Sequence, residues 1–155
     1  MQFQLIDRIV ELTRGERIVA DKAVSLAEEY LADHFPTFPV LPGVLMLEMM
    51  TQAAAWLVRD AQDFKTNVIL LREAKNVTYK SFVKPGDVLT VTVTCRRLAD
   101  GESDYDGIGH CRGEEAVRAK LGLVHVSLAD RRGATTAIEQ SLIVAARAMF
   151  ERLRR

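Results

Sequence analysis

The sequence predicts an α+β protein, an antiparallel sheet wrapped around one long central helix with an extra helix at the C-terminus. Three observations carry that expectation. Residues Gly43 to Val58 are apolar almost all round, so the helix that they open, ending near Asp60, belongs inside the molecule. Four strand-like runs follow it: Val68–Thr78, Asp87–Leu98, Tyr105–Arg112 and Ala116–Leu128. Beyond them Ile138, Leu142, Ala146, Met149 and Leu153 recur at helical spacing. The 155 residues suit a single domain over residues 1–130, with 134–155 as its helical extension.

The elements are punctuated in order. Ile6 to Ala20 reads as a hairpin turning at Arg14-Gly15. Ser25 to Ala32 reads as a short helix, with Ser25-x-x-Glu28 as its capping box. In the run from Asp87 to Leu98, Val88, Thr90, Thr92 and Thr94 fall on one face and Leu89, Val91, Val93 and Cys95 on the other. Asp100-Gly101 is a hairpin turn signal between long strands. Thr136-x-x-Glu139 is a capping box for the last helix, and Arg152, Arg154 and Arg155 complement its C-terminal dipole. That helix is expected to cover the sheet or to form a subunit contact. A basic contact for an acidic carrier protein is the alternative.

Composition narrows the function classes. Lys and Arg number 21 and Asp and Glu number 21, so no global field selects nucleic acid or a membrane surface. The central helix is too short and mixed to span a bilayer, which needs about 20 apolar residues. The N-terminus mixes polar and apolar residues and does not read as a signal peptide, which implies a cytoplasmic protein. Cys95 and Cys111 lack CxxC spacing and read as small apolar core residues. His110 and His125 are isolated and read as structural. With no GxGxxG, P-loop or metal-ligand cluster, no cofactor and no metal are expected.

The chemistry concentrates between His34 and Gln52. His34-Phe-Pro-Thr-Phe-Pro-Val-Leu-Pro-Gly43 is a loop stiffened by three prolines, and it runs directly into the apolar helix. Glu48 lies inside that helix, without a Lys or Arg within a turn. A carboxylate there is costly unless it has a partner, and an apolar setting favours its protonated form, which suits a general acid. Gln52, four residues on, shares its face and has an amide to offer. His34 and Glu48 are therefore the candidate acid–base pair. Pro42-Gly43 opens the helix, where unpaired backbone N–H groups at the positive end of the dipole can hold a developing oxyanion. An ordinary helix start would use the same dipeptide.

His34-Phe35-Pro36, Pro39-Val40, Pro42-Gly43-Val44, Glu48 and Gln52 together resemble the active-site motif of the beta-hydroxyacyl-[acyl-carrier-protein] dehydratases of the FabA/FabZ type. Tyr79-Lys80-Ser81-Phe82-Val83-Lys84-Pro85-Gly86-Asp87 and Gly113-Glu-Glu-Ala-Val-Arg-Ala119 match later family segments more loosely. The resemblance spans roughly residues 4 to 125 and implies the hotdog fold. It implies dehydration of a beta-hydroxyacyl thioester, on acyl carrier protein or coenzyme A, to the trans-2-enoyl thioester, in fatty acid or related acyl-chain biosynthesis. It assigns His34 as base, Glu48 as acid and the Gly43 N–H to the thioester oxygen. The Val40 carbonyl would orient His34, and Gln52 would hold Glu48. It also implies that the two catalytic groups of one site come from different subunits, in a homodimer or a trimer of dimers.

Departures from the motif bear on substrate. Asp33 replaces a Gly, Thr37-Phe38 a Gly and a small polar residue, Met49 an Ala, Phe82 a Pro, and Arg112 an acidic residue. Asp33 is placed to act on His34 if it lies close, and Phe38 to narrow the substrate channel. Two other readings share these residues. A hotdog thioesterase needs a carboxylate base for water but not the His-Phe-Pro loop. A non-catalytic acyl-binding homologue would have no need to keep His34, Glu48 and Gln52 together, whereas a specialised dehydratase in a secondary pathway would keep all three.

Overall fold

The computed structural model describes residues 4–66, 68–127 and 136–155. Strands β1 (Arg8–Thr13) and β2 (Arg17–Ala23) form the first hairpin. Then come a one-turn helix α1 (Tyr30–Asp33) and the long helix α2 (Gly43–Ala61). Strands β3 (Val68–Tyr79), β4 (Val88–Ala99), β5 (Glu102–Cys111) and β6 (Glu114–Val126) follow, and α3 (Thr136–Leu153) closes the chain. The six strands make one sheet in the order β1-β2-β4-β5-β6-β3, antiparallel at every step. The short β1 and the long β3 are its edges.

Alternation decides which side of the sheet meets the helix. On β4, Leu89, Val91 and Val93 are fully buried, while Thr90, Thr92 and Thr94 on the other face stay half-exposed. Helix α2 lays Met46, Met49, Met50, Ala53, Ala54, Leu57 and Val58 against this apolar face and touches β2 to β6. Burying each of the Met, Leu and Val side chains contributes about 1.5–3 kcal/mol. Gly107 on β5 permits the close approach: a Cβ there would lie 2.8 Å from the Met50 sulfur.

Some expectations are corrected. The helix at Ser25–Ala32 shrinks to Tyr30–Asp33. The Ser25 hydroxyl accepts the Ala27 N–H at 3.2 Å, a local turn that competes with the capping box and delays the helix. Strand β6 begins two residues early because Arg112 and Gly113 both take positive φ (52° and 80°), which makes a two-residue hairpin turn. Leu128, the expected end of the last strand, and the Thr136 side chain of the second capping box lie outside the described residues.

Helix α3 does not lie on the middle of the sheet. Phe150 stacks on Trp56 at 5.8 Å and meets Phe64 edge-on at 5.4 Å, so α3 covers the C-terminal part of the outer face of α2. Arg147 donates to the Asp63 carbonyl at 2.8 Å and sits over the Phe64 ring. Cys111 is buried, whereas Cys95 is only partly so. His125 is not isolated. Its ring bridges the buried Ser103 hydroxyl (2.7 Å) and the Gln62 amide (3.3 Å), and burial pushes its imidazole below the usual value.

Candidate active site

His34 leaves the end of α1 and begins the proline-rich loop. Its Nδ1 lies 3.0 Å from the Val40 carbonyl. A carbonyl only accepts, so Nδ1 carries a proton, and in the neutral ring Nε2 is then the bare nitrogen, the tautomer that a base requires. Val40 is buried, so the anchor is a fixed one. Phe35 next to His34 adopts φ +59°, a left-handed conformation that is strained for a bulky residue and doubly so before a proline. Strain of this kind persists only where the surroundings impose it. The Phe38 N–H closes the turn onto the Phe35 carbonyl at 2.7 Å. Asp33 makes no ion pair with His34 among the described residues.

Glu48 lies on the outer stripe of α2, with Val44 one turn before it and Gln52 one turn after. This corrects the expectation of full burial: Glu48 is half-buried, because the sheet covers only the opposite side of the helix. Gln52 donates its amide to Glu48 Oε1 at 3.0 Å, and Gln52 Oε1 accepts the Leu5 N–H at 3.0 Å. The segment before β1 therefore orients the carboxamide that orients the acid. Sequence reasoning found Gln52 but had no signal for Leu5, whose contribution is a backbone group.

Gly43 is the first residue of α2, and the Pro42 carbonyl accepts from Leu45 and Met46. That leaves the Gly43 and Val44 N–H groups without a partner within the helix. A cleft of about 420 Å³ opens there, lined by His34, Val40, Gly43, Met46, Tyr79 and Phe82 among others. His34 and Gly43 are brought together in it, while Glu48 is not among its lining residues. Tyr79, Lys80 and Ser81 were legible only as part of a family segment, and the structure adds them to the cleft wall. Among the described residues no His, Cys, Asp or Glu cluster is arranged to hold a metal.

The FabA-like domain family model matches residues 1–120. The 3-hydroxyacyl-[acyl-carrier-protein] dehydratase FabZ of Oenococcus oeni is 37% identical over 117 residues, covering 76% of this chain and 84% of that protein. The corresponding FabZ of Aromatoleum aromaticum is 38% identical over 122 residues, covering 77% of this chain and 84% of its own. The chain belongs to the FabA/FabZ family. The dehydratase heterocomplex ApeI:P from Xenorhabdus doucetiae gives a structural match with a TM-score of 0.68 at 18% identity, covering 83% of this chain and 86% of the matched one. That likeness shows the hotdog fold.

Set against the family motif, two of the departures prove to be in contact. Phe38 meets Phe82 edge-on, with ring centroids 5.7 Å apart, and the Lys84 ammonium sits 4.7 Å from the Phe38 ring. Phe82 lines the cleft, whereas Phe38, expected in the channel itself, touches Phe82 but is not among the lining residues. Arg112, a third departure, donates to Asp87 at 2.7 Å, and Asp87 also accepts the Lys84 N–H at 2.9 Å. Burial alone would raise the Asp87 carboxyl, but these donors hold it below its ordinary value. Among the described residues no helix is long and apolar enough to cross a membrane.

Proposed function

We propose that this chain is a cytoplasmic hydro-lyase that removes water from a beta-hydroxyacyl thioester on acyl carrier protein, in fatty acid or related acyl-chain synthesis. His34 Nε2 takes the α proton. The electron pair moves onto the thioester oxygen, which the Gly43 N–H stabilises. As the negative charge returns, the double bond forms, the β C–O bond breaks, and Glu48 delivers its proton to the departing hydroxyl. Water and the trans-2-enoyl thioester leave. The chemistry needs only an acid, a base and an oxyanion donor.

The observation that carries this reading is the His34–Val40 hydrogen bond, because it occupies Nδ1 and leaves Nε2 as the nitrogen free for chemistry in the same cleft as the helix N-terminus. A thioesterase base for water would not need that imidazole.

In this proposal the Glu48 that serves a given His34 comes from a second copy. Support lies in three features. Glu48 does not line its own chain's cleft. The Val44 end of the α2 stripe is 69% exposed. The long edge strand β3 leaves Leu70 and Leu71 open, the kind of edge that pairs with another strand. A homodimer, alone or in a trimer of dimers, would satisfy all three. The test is the product mass when purified protein meets a panel of beta-hydroxyacyl thioesters. Loss of one water supports the proposal, and release of the free hydroxy acid overturns it.

A further inference from the structure

Lys22 on β2 is only 6% exposed, although lysine is rarely buried. Its ammonium reaches two carboxylates: Glu28 Oε1 at 2.8 Å and Asp7 Oδ1 at 3.2 Å. The carboxylates belong to two different arms of the chain. Asp7 ends the segment whose Leu5 N–H holds Gln52, and Gln52 in turn holds Glu48. Asp7 is itself fixed, since its Oδ2 accepts the Ala23 N–H at 2.8 Å and its own N–H donates to the Asp21 carbonyl at 2.9 Å. Glu28 sits in the turn that opens α1, where its carbonyl accepts the Leu31 N–H at 3.1 Å, and α1 delivers His34.

We propose that Lys22 is a positioning residue: its ammonium ties the arm that orients Glu48 to the arm that presents His34. The inference rests on the acid–base roles proposed for those two residues. The motif itself contains no signal for this tie, because Lys22, Asp7 and Glu28 all lie outside it.

The electrostatics agree. Burial by itself would lower the Lys22 ammonium, but Glu28 and Asp7 more than offset this and hold it above its ordinary value, so it stays charged. Tyr30 of α1 lies beside the same carboxylates. Burial first, and then Glu28 and Asp7, push its hydroxyl up to about 12, so it stays neutral and adds no charge to the cluster. A single ammonium thus faces two carboxylates. Removing Lys22 leaves two facing carboxylates without a counter-ion, removing either carboxylate leaves one ammonium–carboxylate pair that no longer joins the two arms, and removing all three charges leaves nothing to balance.

That asymmetry supplies the test. Lys22→Met, Asp7→Asn and Glu28→Gln, and the triple variant, are assayed for dehydration well below their melting temperatures. Each single variant is expected to lose ten- to a hundredfold in kcat, the scale of about 1 Å of misplacement, with KM changed less than about twofold. The triple variant is expected to melt within about 4 °C of wild type, yet to keep the low kcat. A purely structural salt bridge would recover kcat along with Tm, and that result would overturn the proposal, as would wild-type kcat in the folded single variants. Should a single variant not fold, the triple variant carries the test alone. His34→Ala and Glu48→Gln are run beside them. If those two keep turnover, the underlying reading fails. If they lose it while the triple variant keeps wild-type kcat, only the role of Lys22 fails.

Discussion

Gly43→Ala isolates the contribution of one missing side chain. A Cβ built at Gly43 would lie 2.9 Å from Tyr79 Cε1 and 3.0 Å from Cζ. Carbon atoms pack best at about 3.5–4.0 Å, so the ring must retreat by roughly 0.6–1 Å. Tyr79 is 47% exposed, so it can swing rather than compress the core. The overpacking cost then sits at the low end of the usual range, about 1 kcal/mol. Alanine offsets much of this by restricting the unfolded chain, by about 0.4–1 kcal/mol. Net stability should change by less than about 1 kcal/mol, or about 2–4 °C in Tm. Activity should respond far more, because Tyr79 and Gly43 share the cleft wall with His34. We expect kcat/KM to fall ten- to a hundredfold, the effect of about 1 Å of displacement at a reacting centre. Adding Tyr79→Ala to Gly43→Ala should return most of that loss. Steady-state kinetics with one beta-hydroxyacyl thioester and a thermal melt are sufficient. A Gly43→Ala enzyme with wild-type kcat/KM would refute the view that this glycine is required for its space.

Other outcomes follow from the same geometry. His34→Ala and Glu48→Gln should each lower turnover about 10²-fold or more while leaving the circular dichroism spectrum unchanged; near wild-type dehydration by either variant removes that residue from the mechanism. Phe38→Ala should shift chain-length preference, because its ring supports Phe82 in the cleft wall. Since Phe38 is 45% exposed, it should cost only about 1–2 kcal/mol, and an unshifted profile would make it a packing residue. The half-buried His125 ring is held below its ordinary value in the folded state, so the unfolded chain binds a proton first as pH falls. Stability is complete above about pH 6.5 and is lost as pH drops through the folded value. The Tm difference between about pH 7.5 and about pH 5.5 should therefore be smaller in His125→Gln than in wild type, and an equal difference would assign the pH dependence to other groups.

Much of this was legible in the sequence for physical reasons. The all-round apolar run from Gly43 to Val58 requires a surrounding shell, and the alternation on β4 identifies which face supplies it. His34, Val40, Gly43 and Gln52 were readable because their spacing is local. The Leu5 amide was not, because any residue supplies a backbone N–H. The Phe38–Phe82 contact joins positions far apart in the chain, so each appeared as a separate departure. Glu48 read as buried because periodicity shows that a helix is apolar but not how much of it one chain's own sheet covers. Lys22 carried no signal, since its burial depends on two arms folding over it.

The central claim is that His34 and Glu48 of one site belong to different copies of the chain. Inactive His34→Ala protein is refolded together with inactive Glu48→Gln protein, subunit exchange is verified by mass, and dehydration is assayed. In a mixed pair one of the two sites holds an intact His34 and an intact Glu48, and random pairing makes about half of the pairs mixed, so roughly a quarter of wild-type activity should return when each complete site acts alone. Proven exchange with no recovery would contradict the account.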